Sequence, residues 1–163
     1  MILMDVNILV YAHREDTPDH PAYRDWVEGT INRRSAYGVS ELVLSGFMRV
    51  VIHPKVFERP TPLAVALEVV KQIRGQPHAI SLRPGPRHWT MAAKLLRASD
   101  AIGNLIPDAY HAALAIASGG DWITTDKGFY ASHASVYWAG RVYPLTVAHD
   151  AFYPSSAVVI ADS

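Results

Sequence analysis

Short apolar runs alternate with amphipathic stripes along this chain, and that alternation constrains its fold more than any single residue does. The "ILM" before Asp5 reads as a strand, as do "AYGVS", the centre of "HAISLRPG", "DWITTD" and "SVYWAG". Between them, apolar residues recur at helical spacing. The stripes are Tyr23, Trp26, Val27 and Ile31 within 19–34, then Leu44, Phe47, Met48 and Val51 after Ser40, then Ala66, Val69, Val70 and Ile73 within 62–75. Trp89, Ala92, Ala93 and Leu96 follow within 86–98, and Ala109, Ala112, Ala113 and Ile116 within 107–118. Pro21 fits a first helical turn, Ser40 an N-cap, Pro54 a stop, and Gly119-Gly120 a helix end. The "ILVYA" after Asp5 is long enough only to start a helix. Strands alternating with helices predict an α/β fold with a mostly parallel sheet covered on both faces.

At 163 residues the chain is expected to form one domain with a substantial core. Residues 1–140 carry the alternating pattern. The closing "PLTVAHDAFYPSSAVVIADS" has no place in it, so 141–163 is set apart as a C-terminal extension without assigned structure. Half the residues are hydrophobic, yet no apolar run approaches the roughly 20 residues needed to span a bilayer. The N-terminus shows no basic leader or small-residue cleavage site, and cysteine is absent. Neither export nor a disulfide framework is expected, and the expected location is the cytoplasm. Fifteen basic residues balance fifteen acidic ones. Net charge therefore neither points to a nucleic-acid partner nor excludes one, since a basic rim around an acidic pocket averages to zero.

Four acids stand out: Asp5 in "MILMDVN", Glu41 in "SELVL", Asp108 in "PDAYHAALA" and Asp126 in "TTDKGF". Three of them sit where a strand ends or a helix begins. In an open parallel sheet that edge is where ligands bind, so acids distant in sequence can converge there. Converging carboxylates repel unless a hard cation resolves the repulsion, which suggests a magnesium or manganese site. Each residue also has a plainer reading. Asp108 follows Pro107 in a first helical turn, where the helix dipole favours an acid whatever the function. Glu41 can be an exposed first-turn acid, Asp5 and Asn7 can shape a turn, and Thr124, Thr125 and Asp126 can be an ordinary polar turn. The joint arrangement is what favours the site.

Other residues are weighed in the same way. His111 lies three residues after Asp108 and is read as a surface or packed histidine in preference to one touching substrate, and none of the eight histidines has zinc-site spacing. Trp26, Trp89, Trp122 and Trp138 are read as core. Arg49 and Lys55, near His53 and Arg59, are candidates to track a nucleic-acid backbone, although Arg49 can equally pair with a local acid.

Taken together, the motifs resemble the PIN-domain nucleases: D-x-N after the first strand, an acid near the start of an early helix, D-A-x-x-A-A-L-A on a late helix and T-x-D after the next strand. More narrowly, "VLSGFMRVVIHPKVF", "PGPRHW" and "GNLIPDAYHAALAIASGGDWITTDKGF" are similar to mycobacterial-type VapC toxins, ribonucleases neutralised by a VapB antitoxin. The likeness covers about residues 1–140. It implies a three-layer α/β/α sandwich and a magnesium-dependent endoribonuclease, with manganese able to substitute, cleaving structured cellular RNA such as tRNA or rRNA. It also implies a VapB-like antitoxin partner and a homodimer. Asp5, Asp108 and Asp126 match family acids, with Asn7 and Thr124 at the polar positions beside them. Asp5 and Asp108 would hold the metal directly, while Glu41 and Asp126 would bind it directly or through water, or orient the attacking water. Asn7 and Thr124 would support these ligands by hydrogen bonds.

One departure stands out: the position where most of the family carries its helical acid is Gly46 here. Glu41 is the only carboxylate on that helix, and at about 100° per residue it lies roughly 140° from position 46. It would be a substitute entering from the first turn. The alternatives are a PIN-type nuclease of RNA maturation or DNA flap processing, and a PIN-fold binding module that has lost its chemistry.

Overall fold

The computed structural model describes residues 1–98, 100–103, 105–125, 142–148 and 151–154. Its elements run in the order β1 (Ile2–Met4), α1 (Val6–His13), α2 (His20–Asn32), β2 (Tyr37–Ser40), α3 (Glu41–Val51), α4 (Leu63–Arg74) and β3 (Ala79–Leu82). Then come α5 (Pro86–Ala98), α6 (Leu105–Ala117), β4 (Asp121–Thr124), β5 (Val142–Ala148) and β6 (Ala151–Pro154). The six strands form a sheet in the order β3-β2-β1-β4-β5-β6. All neighbours are parallel except the antiparallel β5–β6 pair. The strand order reverses direction between β1 and β4, which makes a topological switch point there.

Two departures from the sequence reading concern length and place. Residues 6–13 form a two-turn helix, capped by Asp5, whose side chain accepts from the Val6 amide at 2.6 Å. The cap and the buried Ile8, Leu9 and Val10 offset the poor intrinsic stability of so short a helix. In the C-terminal region, β5 pairs with β4 and β6 with β5, so residues 142–148 and 151–154 continue the same sheet. The strand expected at "SVYWAG" falls outside the described residues.

Each face of the sheet has its own core. On one face Met4, Val39, Tyr37 and Ile123 pack with Ile8 and Leu9 of α1, Val27 of α2, Phe47 and Val51 of α3, and Val70 of α4. On the other, Leu3, Leu82 and Trp122 pack against Ala92 and Leu95 of α5 and Ala109, Ala112, Ala113 and Ala115 of α6. Of the tryptophans, Trp122 is fully buried, Trp26 is half-buried, and Trp138 is outside the described residues. Trp89 corrects the expectation: it is 66% exposed. It sits beside buried His88, on the side of α5 turned away from the sheet, so its helical spacing misassigned its face.

The end of α6 fixes how that helix meets the sheet. Gly119 adopts φ 70°, its amide donates to Ile116 O at 3.0 Å, and the Gly120 amide donates to Ala115 O at 2.8 Å. This pair of bonds closes the helix in a left-handed turn that glycine takes without strain. The chain then enters β4 directly, with the Asp121 amide donating to Met1 O at 2.9 Å.

Candidate active site

Strand register determines which residues stand side by side at the edge where the parallel strands end. Leu3 is paired with Gly38 and with Trp122, and Met4 with Ile123. One step further along β1, Asp5 stands level with Thr124; two steps beyond the Leu3–Gly38 pair, it stands level with Ser40. Parallel neighbours lie about 4.8 Å apart, so Ser40, Asp5 and Thr124 form a polar row across three adjacent strands. All three are buried. Because side chains alternate along a strand, this row faces the side of Leu3 and Trp122, which α6 covers.

The row is held together by hydrogen bonds. The Asp5 amide donates to Ile123 O at 2.9 Å, and the Thr124 hydroxyl donates to Asp5 Oδ2 at 2.7 Å. With Val6 N donating to Oδ1, both carboxylate oxygens of Asp5 are oriented by the fold. The hydroxyl bond joins Asp5 and Thr124 across neighbouring strands. Asn7 is half-buried in the first turn of α1, directly beyond the cap.

Asp108 approaches the same edge from the covering layer. It lies half-buried in the first turn of α6. The other end of α6 leads into the start of β4, and a helix of 13 residues spans about 20 Å, more than the length of a four-residue strand. Its first turn therefore stands at the edge where β1 and β4 end. His111, one turn further along α6, is buried, and its Nδ1 has no hydrogen-bond partner among the described residues. Burial, reinforced by neighbouring His88, lowers its pKa to about 4, so the ring is neutral at physiological pH. It is a packed histidine.

Glu41 is placed differently. It begins α3 immediately after Ser40, but its carboxylate accepts from Arg74 Nη2 of α4 at 3.2 Å, on the opposite face of the sheet from the Asp5 row. Both side chains are more than half exposed. Gly46, where the helical acid is missing, faces the start of α1. A Cβ there would lie 2.8 Å from Val6 Cγ2, so a side chain at 46 would require Val6, at the start of α1, to shift. Asp126, two residues past Thr124, lies outside the described residues. Among the described residues, no three acidic or imidazole groups converge on a point that could hold a metal.

Arg49 and Lys55 are exposed, in the last turn of α3 and the loop after it. The Lys55 amide donates to His53 Nδ1 at 3.1 Å. Sequence reasoning missed Ser40 as more than a helix cap, and the signal for it was available only in the strand register.

A covered parallel sheet with an oriented carboxylate at its switch point, and a second acid in the first turn of the helix above, defines an α/β protein whose acids lie at the edge where such sheets bind ligands. The match to known families narrows this: residues 2–132 fit the PIN domain, and the chain belongs to that family. The chain is 42% identical over 129 residues to VapC ribonuclease Mb2897 of Mycobacterium bovis, an alignment covering 79% of this chain and 88% of that protein. It is 38% identical over 136 residues to ribonuclease VapC31 of Mycobacterium tuberculosis, covering 83% and 95%. It also resembles in fold a chain of the Rickettsia felis VapBC2 structure, solved bound to a DNA fragment from its promoter. There the TM-score is 0.54 at 20% identity, over 80% of this chain and 92% of that one.

Proposed function

We propose that this protein is the toxin of a toxin-antitoxin pair, a magnesium-dependent endoribonuclease that cuts structured cellular RNA such as tRNA or rRNA. Support comes from the Asp5–Thr124 pair at the switch point, in a chain whose relatives across most of its length are named VapC ribonucleases. The donors fit a hard divalent cation, because carboxylate and hydroxyl oxygens are the groups such ions prefer and Asp5 is already oriented. Asp5 and Asp108 would hold the ion, with manganese able to replace magnesium, and Asp126 would add a further carboxylate. When bound, the ion neutralises charge on the phosphoryl oxygens and makes water a better nucleophile.

The chain's own residues supply the rest. Thr124 fixes the Asp5 carboxylate by donating to it, and Asn7 is placed to steady the same turn. Glu41 would act through water after leaving Arg74, an exposed pair whose rupture costs only about 0–1 kcal/mol. Arg49 and Lys55 would track the RNA backbone outside the cleft.

The partner in this reading is a VapB-like antitoxin. Exposed Leu42, Leu63, Val65 and Leu67 on α3 and α4 offer apolar surface to a docking helix. An antitoxin arginine or lysine entering the acidic edge would compete with the metal, so inhibition should weaken as magnesium rises. A homodimer is part of the same proposal.

The direct test is cleavage of cellular RNA by the purified chain in magnesium and in chelator, with 5′-end sequencing after induction to locate the cut. Cleavage that persists in chelator would overturn the metal dependence. A second reading, a PIN-fold binding module without chemistry, draws on Gly46 and on the engagement of Glu41 with Arg74. Tight antitoxin binding with no cleavage in any divalent metal would favour it.

A further inference from the structure

We infer that the exposed face of α5 is a binding surface for unpaired RNA, on which the Trp89 ring stacks a base flanking the phosphate at the acidic edge. The inference deepens the ribonuclease reading and rests on it for the identity of the ligand. From residue 69 to residue 99 the chain holds no aspartate or glutamate. The first two cations of this stretch, Lys71 and Arg74, are paired with Glu68 and Glu41. The remaining four, Arg83, Arg87, Lys94 and Arg97, are exposed, and among the described residues none of them enters an ion pair. Trp89 stands among them, 66% exposed.

Helical geometry orders this face and places it near the acids. His88, Ala92 and Leu95 are the buried side of α5. At about 100° per residue, Arg87 and Lys94 fall on the side away from them, and Arg97 falls between those two and Trp89. The His88 Nε2–H donates to Tyr110 O at 3.0 Å, and Tyr110 is two residues from Asp108 on α6. Packed helices lie about 8–10 Å apart, so a strand whose phosphate sits near Asp108 reaches α5 with a neighbouring nucleotide.

Charge and shape select the occupant. Unpaired cations attract a polyanion, whereas a second copy docked here about a two-fold axis would set like charges against one another. An indole offers a base the flat apolar surface it stacks on, and aromatic rings set among cations are the usual platform for unpaired strands. Base faces are hidden inside a duplex, so Trp89 selects the unpaired loops of a folded RNA while the cations follow its backbone. Trp89 thereby positions the substrate and takes no part in bond cleavage.

The test uses the full chain and two fluorescein-labelled RNAs, one unpaired and one duplex, titrated in chelator and followed by anisotropy. Trp89→Ala should weaken binding of the unpaired RNA about tenfold, Trp89→Tyr should restore it, and duplex binding should not change. Arg97→Ala should weaken both RNAs alike and lower the salt slope by about one. In magnesium, Trp89→Ala should raise KM for an RNA cut in a loop about tenfold and keep kcat, with melting temperature and light-scattering mass unchanged. The inference is overturned if Trp89→Ala binds unpaired RNA as the wild type does, if it loses duplex binding equally, or if the wild type binds neither RNA. A changed mass for Trp89→Ala would instead assign the ring to a contact between copies, and tighter binding of polyglutamate than of unpaired RNA would assign the face to an acidic protein; either result overturns it too. Asp5→Asn keeps the two readings apart. If Asp5→Asn abolishes cleavage while Trp89→Ala binds normally, the stacking face alone fails. If Asp5→Asn still cleaves while Trp89→Ala shows its defect on unpaired RNA, the metal-site reading fails and the face stands.

Discussion

The two faces of the sheet are covered by different materials. Beneath α1–α4 the core is built from large side chains such as Tyr37, Phe47, Val51 and Ile73. Beneath α6 the contact is mostly alanine, at positions 109, 112, 113 and 115. Helix distance from a neighbour follows side-chain size, so alanines let the α6 backbone settle close to Leu3 and Trp122. The difference teaches where precision is placed. One face is built from bulky side chains, while the alanine face brings the backbone of α6, which carries Asp108, close to the sheet that carries Asp5.

The sharpest way to break this division is Asp108→Asn. It keeps shape and removes the charge proposed to hold the metal, so cleavage by the purified protein should fall at least about a thousandfold, about 4 kcal/mol, with the melting temperature nearly unchanged. Activity within tenfold of wild type would remove the alanine face from catalysis.

A paired substitution sharpens the contrast. Phe47→Ala should cost about 3–5 kcal/mol of stability in urea unfolding and leave the rate per folded molecule intact. Ala112→Leu should cost less, about 1–3 kcal/mol by overpacking, yet lower the rate because α6 is lifted from the sheet. Equal loss of rate in both variants would mean that the faces do not differ in this way.

His111 gives the alanine side a pH dependence. Its folded pKa of about 4 lies below the ordinary 6.5, so between those values the unfolded chain binds the proton and the folded one does not. Stability is thus fully present above about pH 6.5 and falls as pH drops towards 4, by up to about 3 kcal/mol. His111→Leu should flatten that part of the stability–pH curve. An unchanged slope would assign the acid sensitivity to other groups.

The smallest expected effect is at Glu41. Glu41→Gln should change stability by a few tenths of a kcal/mol, as for an exposed pair, and lower turnover about tenfold, about 1.4 kcal/mol, through its proposed contact with water. An unchanged rate in steady-state assays would show that the site works without it and that the carboxylate serves only Arg74.

Much of this arrangement was legible in the sequence, and the failures have physical causes. Helical stripes located α2 to α6 because a repeating apolar face leaves a periodic trace. The helix at 6–13 was missed because it is stabilised by Asp5 and by packing that local pattern does not record. Trp89 was misplaced because periodicity says that a face exists, not which residue at its margin is covered. Motif order singled out Asp5 and Thr124 separately, but their pairing across 119 residues, like the place of Ser40 beside them, emerged only once parallel register set the strands side by side. Glu41 was legible as an acid at a helix start. Its turn toward Arg74 depends on α4, whose position no motif around residue 41 encodes.

Asp5 both caps α1 and accepts the Thr124 hydroxyl, and this has a consequence for how lineages of such proteins would diverge. A descendant that gave up catalysis would still be selected to keep an aspartate here, because the fold would lose a helix cap and a buried partner without it. In surveys of related genes, an intact aspartate at 5 would then say that the chain still folds and would not by itself testify to retained activity.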